Sequence, residues 1–196
     1  MSNDNTIPFR RPDALARFAK SPLVAARYGG ADEARLSAFE TQHEVSLSDG
    51  YRDFLMRENG LDYHIPHTTI ATLPAEAQRD AFVLSDINTL FGIGNGHPYF
   101  DLEELAPDMD FHDYGFTPFA HVVGLGGDFC TLVELTEGKH TGAIMYTDGE
   151  LFHGMRSGGI AGKSADEAID YFIESGYYYR IATNFSDLFE KYARLT

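Results

Sequence analysis

At Gly60 the spacing of apolar residues changes, and that change limits the fold more than any other feature of the chain. Downstream, TIATL, FVL, INTLFGI, FAHVVGL, FCTLVEL and GAIMYT are short and rich in β-branched and aromatic residues, with turn residues between several of them. They predict strands. Gly126-Gly127-Asp128 between FAHVVGL and FCTLVEL, and Glu137-Gly138 after the latter, suit antiparallel hairpins. No helix of crossover length separates these segments, and parallel neighbours require one, so a doubly wound parallel sheet is disfavoured.

Upstream of Gly60 the period is helical. A helix is expected from near Asp32, with Leu36, Phe39 and His43 on one face. After the short link VSL, Ser48 reads as the N-cap of a second helix in which Tyr51, Phe54 and Leu55 stack one turn apart. Asn59-Gly60 ends it, because glycine tolerates the left-handed conformation. Two helices are expected at the other end. Ser164 and Glu167 form a capping box ahead of Ala165, Ala168, Ile169, Phe172 and Ile173, and a final helix runs from about Ser186 to Leu195. The chain shows no internal repeat and no low-complexity tract.

A length of 196 residues suffices for one domain with a sizeable core, and 43% hydrophobic with 13% aromatic residues fits a packed chain. Residues 1–30 hold Arg10, Arg11, Arg17, Lys20 and Arg27 against Asp4 and Asp13, and read as a basic N-terminal arm packed on a body of residues 31–196. The single cysteine, Cys130, excludes an intrachain disulfide and supplies no zinc framework. No apolar run approaches the ~20 residues of a membrane helix, and MSNDNTIPFRRPD lacks the apolar stretch of a secretory signal. A cytoplasmic location is expected.

The net charge of −15 speaks against direct binding of nucleic acid or anionic membranes, since phosphate repels carboxylate. Between Arg79 and Lys139 there is no lysine or arginine but there are eleven carboxylates, six of them in DLEELAPDMDFHD, residues 101–113. With no cation near in sequence, these charges are expected to face water, a metal ion or a basic partner. Asp101, Glu103, Glu104, Asp108, Asp110 and Asp113 form the candidate contact set, with Tyr63 and His64 at its border. Leu102, Leu105, Met109, Phe111 and Tyr114, interleaved with them, could anchor a complex once formed.

Other chemistry is weaker. Asp108, Asp110 and Asp113 are oxygen donors at short spacing, but the central glycine and terminal glutamate of a twelve-residue calcium loop are missing. His64 and His67 lack a third zinc ligand in register. Cys130, with His121 or Asp128 as helpers, would need an electropositive setting to be a nucleophile, and its neighbourhood holds no cation; core packing is expected. Phe91 to Gly96 lacks the ending of a phosphate loop. Tyr177-Tyr178-Tyr179 fits alternation along a strand. No catalytic residue, cofactor or metal is assigned.

In order and content these elements resemble the SUKH superfamily, in particular its Smi/Knr-like branch. The first signature is ARLSAFETQHEVSLSDGYRDFLMRENG, similar to that family's helix pair through Leu47, Tyr51, Phe54, Leu55, Asn59 and Gly60. The second is GLGGDFCTLVEL followed by GAIMYTDGE, and the third is IATNFSDLFEKYARL. Together they cover residues 33–147 and 181–195. Ser48 stands where the family usually has proline and Leu61 where a second glycine is common, and residues 150–180 look like an insertion carrying an extra helix. The resemblance implies an α+β fold: a mostly antiparallel, curved sheet with an N-terminal helix pair and C-terminal helices packed against it. It also implies a non-enzymatic role. Bacterial members are mainly immunity proteins that neutralise a specific toxin, often a nuclease, and fungal relatives are regulatory adaptors. The expected partner is a cognate toxin with a basic surface; the alternative is an endogenous protein bound by an adaptor.

Overall fold

Local capping chemistry sets most of the helix starts. In the computed structural model, which describes residues 13–97, 99–105, 120–127, 130–148 and 162–196, the Asp13 carboxylate accepts the Leu15 N–H at 3.0 Å and opens α1 (Ala14–Ala19). The chain then extends as β1 (Val24–Arg27). Asp32 accepts the Arg35 N–H at 2.7 Å and starts α2 (Glu33–His43), and Ser48 accepts that of Tyr51 at 3.1 Å to start α3 (Asp49–Arg57). Asn59 (φ 46°) and Gly60 (φ 106°) then turn the chain into β2 (Leu61–Tyr63) through the left-handed region.

Within the segment expected as an arm packed on the body, residues 14–27 form a helix and an edge strand that pairs with β2. Phe18 is fully buried against Tyr63 and Tyr192. Residues 1–12, including Arg10 and Arg11, lie outside the described residues.

The next segment departs from the strand expectation. TIATL falls in the short α4 (His67–Ile70) and the turn after it, and FVL lies inside α5 (Ala75–Asp86). Ala81 and Leu84 are buried three residues apart while Phe82 between them is 47% exposed, which is a helical period rather than alternation. INTLFGI does begin a strand, β3 (Ile87–Leu90), followed by α6 (Leu102–Leu105). FAHVVGL, FCTLVEL and GAIMYT become β4 (Ala120–Gly126), β5 (Cys130–Leu135) and β6 (Ile144–Asp148).

The capping box forms as expected, with Ser164 Oγ accepting from the Glu167 N–H and the Glu167 carboxylate accepting the Ser164 N–H, and it opens α7 (Ala165–Glu174). β7 (Tyr178–Ala182) and α8 (Phe185–Ala193) follow. The seven strands form one open sheet in sequence order, β1 to β7, every neighbouring pair antiparallel. Register shifts at Val24/Ala26, Ile87/Thr89, Val122/Gly124 and Ile144/Met145 bend it.

Helices cover both faces of the sheet. At β7, Tyr178 packs on Phe172 of α7, while Tyr179 donates its O–H to Asp80 of α5 at 2.7 Å; successive strand residues point to opposite faces. On the α5 side an aromatic cluster joins α1, α3 and α8: Tyr51 stacks on Phe185 (5.1 Å) and Phe54 on Phe189 (5.6 Å). Burying a ring such as Phe54 contributes about 2 to 3 kcal/mol, which fixes α3 and α8 together over the middle of the sheet.

Candidate functional site

The acidic segment begins in the loop between β3 and α6. There Gly92 passes so close to Asn59 that a Cβ would lie 2.1 Å from the Asn59 carbonyl oxygen. The Asn59 side chain accepts the Ile93 N–H (2.8 Å) and donates to the Ile93 carbonyl (3.1 Å). Asp101 closes the loop. Its Oδ1 accepts the N–H groups of Gly94 (2.7 Å) and Glu103 (3.0 Å), and its Oδ2 accepts that of Gly96 (2.8 Å).

Asp101 is therefore 1% exposed and directed inward, so its side chain is spent on the loop rather than offered to a partner. Tyr63 is likewise turned inward: its hydroxyl meets that of Tyr192, and burial, followed by the Tyr192 hydroxyl, holds its pKa well above the ordinary phenol value. Neither side chain is exposed at the surface. Glu103 lies at the surface, 3.6 Å from Arg35 Nε, and Glu104 beside it is exposed; His64 is exposed on the segment after β2. Asp108, Asp110 and Asp113 lie outside the described residues.

These carboxylates lack a cation along the sequence, but in space Asp80 and Glu103 each meet one, and Glu134 meets an imidazole. Lys191 of α8 bonds Asp80, Arg35 of α2 reaches Glu103, and His121 of β4 sits against Glu134 of β5. Burial alone would raise the Asp80 pKa, but hydrogen bonds from Lys191 and Tyr179 and the charges of Lys191 and Arg79 bring it below the ordinary carboxylate value.

The His121–Glu134 pair was not anticipated as a site. The β4–β5 register places the two residues opposite each other, with Nε2 and Oε2 2.9 Å apart and the side chains 6% and 2% exposed. Despite that spacing, the ring and the carboxylate are not aligned as hydrogen-bond donor and acceptor, and Nδ1 of His121 has no hydrogen-bond partner among the described residues. Tyr51 stacks on the imidazole at 5.7 Å and donates its O–H to the Phe91 carbonyl at 3.2 Å. Its burial, and then the negative charge of Glu134, raise the Tyr51 pKa well above its ordinary value.

His121 and Glu134 line a cavity of about 400 Å³ beneath the α2–α3 link. Leu47 adds an apolar wall, and exposed Glu44 and Glu137 stand among its outer residues. No lysine or arginine is among the described residues that line it. Lys139, two residues after Glu137, pairs with Asp170 at 2.6 Å.

The other candidates fall where packing accounts for them. Cys130 is half-buried with Sγ 2.8 Å from Tyr146 Oη, four residues along β5 from the partner of His121. His67 begins α4 and packs on Phe82. Among the described residues no group of three histidine, cysteine or acidic side chains is placed to hold a metal ion, and no helix is long and apolar enough to cross a membrane.

An open, sequential antiparallel sheet with an N-terminal helix pair and C-terminal helices defines the class of α+β domain expected from the helix-pair and hairpin signatures. The family model described as SMI1 / KNR4 family (SUKH-1) matches residues 30–191, most of the chain, and the protein belongs to that family. No curated protein matches the chain.

Proposed function

We propose that this protein is a non-enzymatic immunity protein that binds a cognate bacterial toxin, a nuclease being the leading type, and occludes its basic functional surface. The reading rests on membership of the SUKH-1 family together with a net charge of −15. A nuclease must hold phosphate in a basic cleft, so an inhibitor that presents carboxylates competes for the same field. Glu103, Glu104 and His64 are the described members of the contact set that reach solvent, and Asp108, Asp110 and Asp113 complete it by proposal.

The test is coexpression with the toxin-like product of the neighbouring reading frame. Growth should be rescued and a stoichiometric complex recovered. Failure of both would transfer the assignment to an adaptor of an endogenous protein.

A further inference from the structure

We infer that the cavity floored by His121 and Glu134 receives the guanidinium of an arginine side chain presented by the protein partner, an assignment that rests on the binding role proposed above and adds the partner's anchoring residue. His121 is 5% exposed and lines the cavity, and among the described residues its Nδ1 has no hydrogen-bond partner. A polar atom orphaned at such depth is costly, and a ligand that satisfies it recovers that cost.

The chemistry of the lining selects the ligand. The described polar lining is rich in acceptors: Glu134 at the floor, Glu44 and Glu137 toward the mouth, and the imidazole, whose Nδ1 accepts when Nε2 carries the proton facing Glu134. Acceptors spread over a floor and a rim call for a donor that diverges in a plane. A guanidinium has five N–H donors in a fixed fork, whereas an ammonium is a single strongly hydrated point. The cavity volume of about 400 Å³ lies within the range of ligand pockets. Leu47 can pack on the aliphatic stem. A metal ion does not suit the same place, because the described side chains form no three-ligand group.

The probe is N-acetyl-arginine methylamide, titrated into the full chain while the His121 ring signals are followed by NMR. The citrulline analogue, equal in shape but uncharged, and the lysine analogue serve as controls. Saturable shifts at His121 are expected with arginine, with both controls at least tenfold weaker. Glu134→Gln should weaken arginine binding at least tenfold. Should that buried change unfold the protein, the surface pair Glu44→Gln and Glu137→Gln is expected to weaken it several-fold. Glu103→Gln with Glu104→Gln should leave probe binding unchanged, which separates this site from the loop surface. Absence of a shift, equal binding of citrulline or lysine, or full binding by the carboxylate variants would overturn the assignment.

Discussion

Asp101 shows how a residue chosen for its charge does its work through geometry. Three backbone N–H groups converge on its two oxygens in a buried loop. Asp101→Ala would strand those donors and should lower unfolding free energy by about 3 kcal/mol in denaturant titration. Asp101→Asn, which keeps one carbonyl oxygen, should cost less. A loss under ~1 kcal/mol for the alanine variant would mean that the loop holds without its carboxylate.

Asp80 tests the pairing that sequence separation hides. Its folded pKa lies below its unfolded value, so the stabilisation is complete above the unfolded pKa, about 3.9, and fades as pH falls through the folded one. Thermal melts between roughly pH 5 and pH 2 should therefore decline more steeply for the wild type than for Asp80→Asn. Equal slopes would remove Asp80 from the acid response.

Among the elements, those with a chemical punctuation mark were legible in the sequence. Asp32 and Ser48 cap the helix pair, Asn59-Gly60 ends it, and glycine-bearing turns separate β4 from β5 and β5 from β6. The α7 capping box belongs with these, and Ser164→Ala should cost about 1 kcal/mol, read as a lower melting midpoint with unchanged cooperativity. No change would show that tertiary contacts of Phe172 alone hold that helix.

Elements without such marks were missed or misread. α5 follows Pro74, which makes no side-chain cap bond, and its Phe82-Val83-Leu84 imitates a strand because so short an apolar run fits either period. α1 and β1 are short, and Phe18 of α1 is buried by partners far along the chain, Tyr63 and Tyr192. The His121–Glu134 pair lies thirteen residues apart in sequence. Folding FAHVVGL onto FCTLVEL about the glycine turn would have placed the two opposite each other, so hairpin symmetry was the available signal. Their burial depends on Tyr51 and the α2–α3 link, which no local pattern encodes.

On the scale of the whole molecule the net charge of −15 is a field as well as a set of pairs. Several carboxylates are matched by cations from distant elements, but the excess remains, and Glu44, Glu134 and Glu137 line the cavity. Long-range attraction of a basic partner acts on the rate of encounter, and salt screens it over a Debye length of roughly 10 Å at 0.1 M. Contacts formed after docking govern dissociation and respond less to salt.

The association rate with the partner recovered by coexpression, measured by stopped flow as ionic strength rises from about 0.02 M to 0.5 M, tests the electrostatic reading most directly. The rate should fall by tenfold or more across that range, and Glu103→Gln with Glu104→Gln should flatten the slope while leaving dissociation nearly unchanged. An association rate indifferent to salt, with the same value for the glutamine variants, would contradict docking through negative potential.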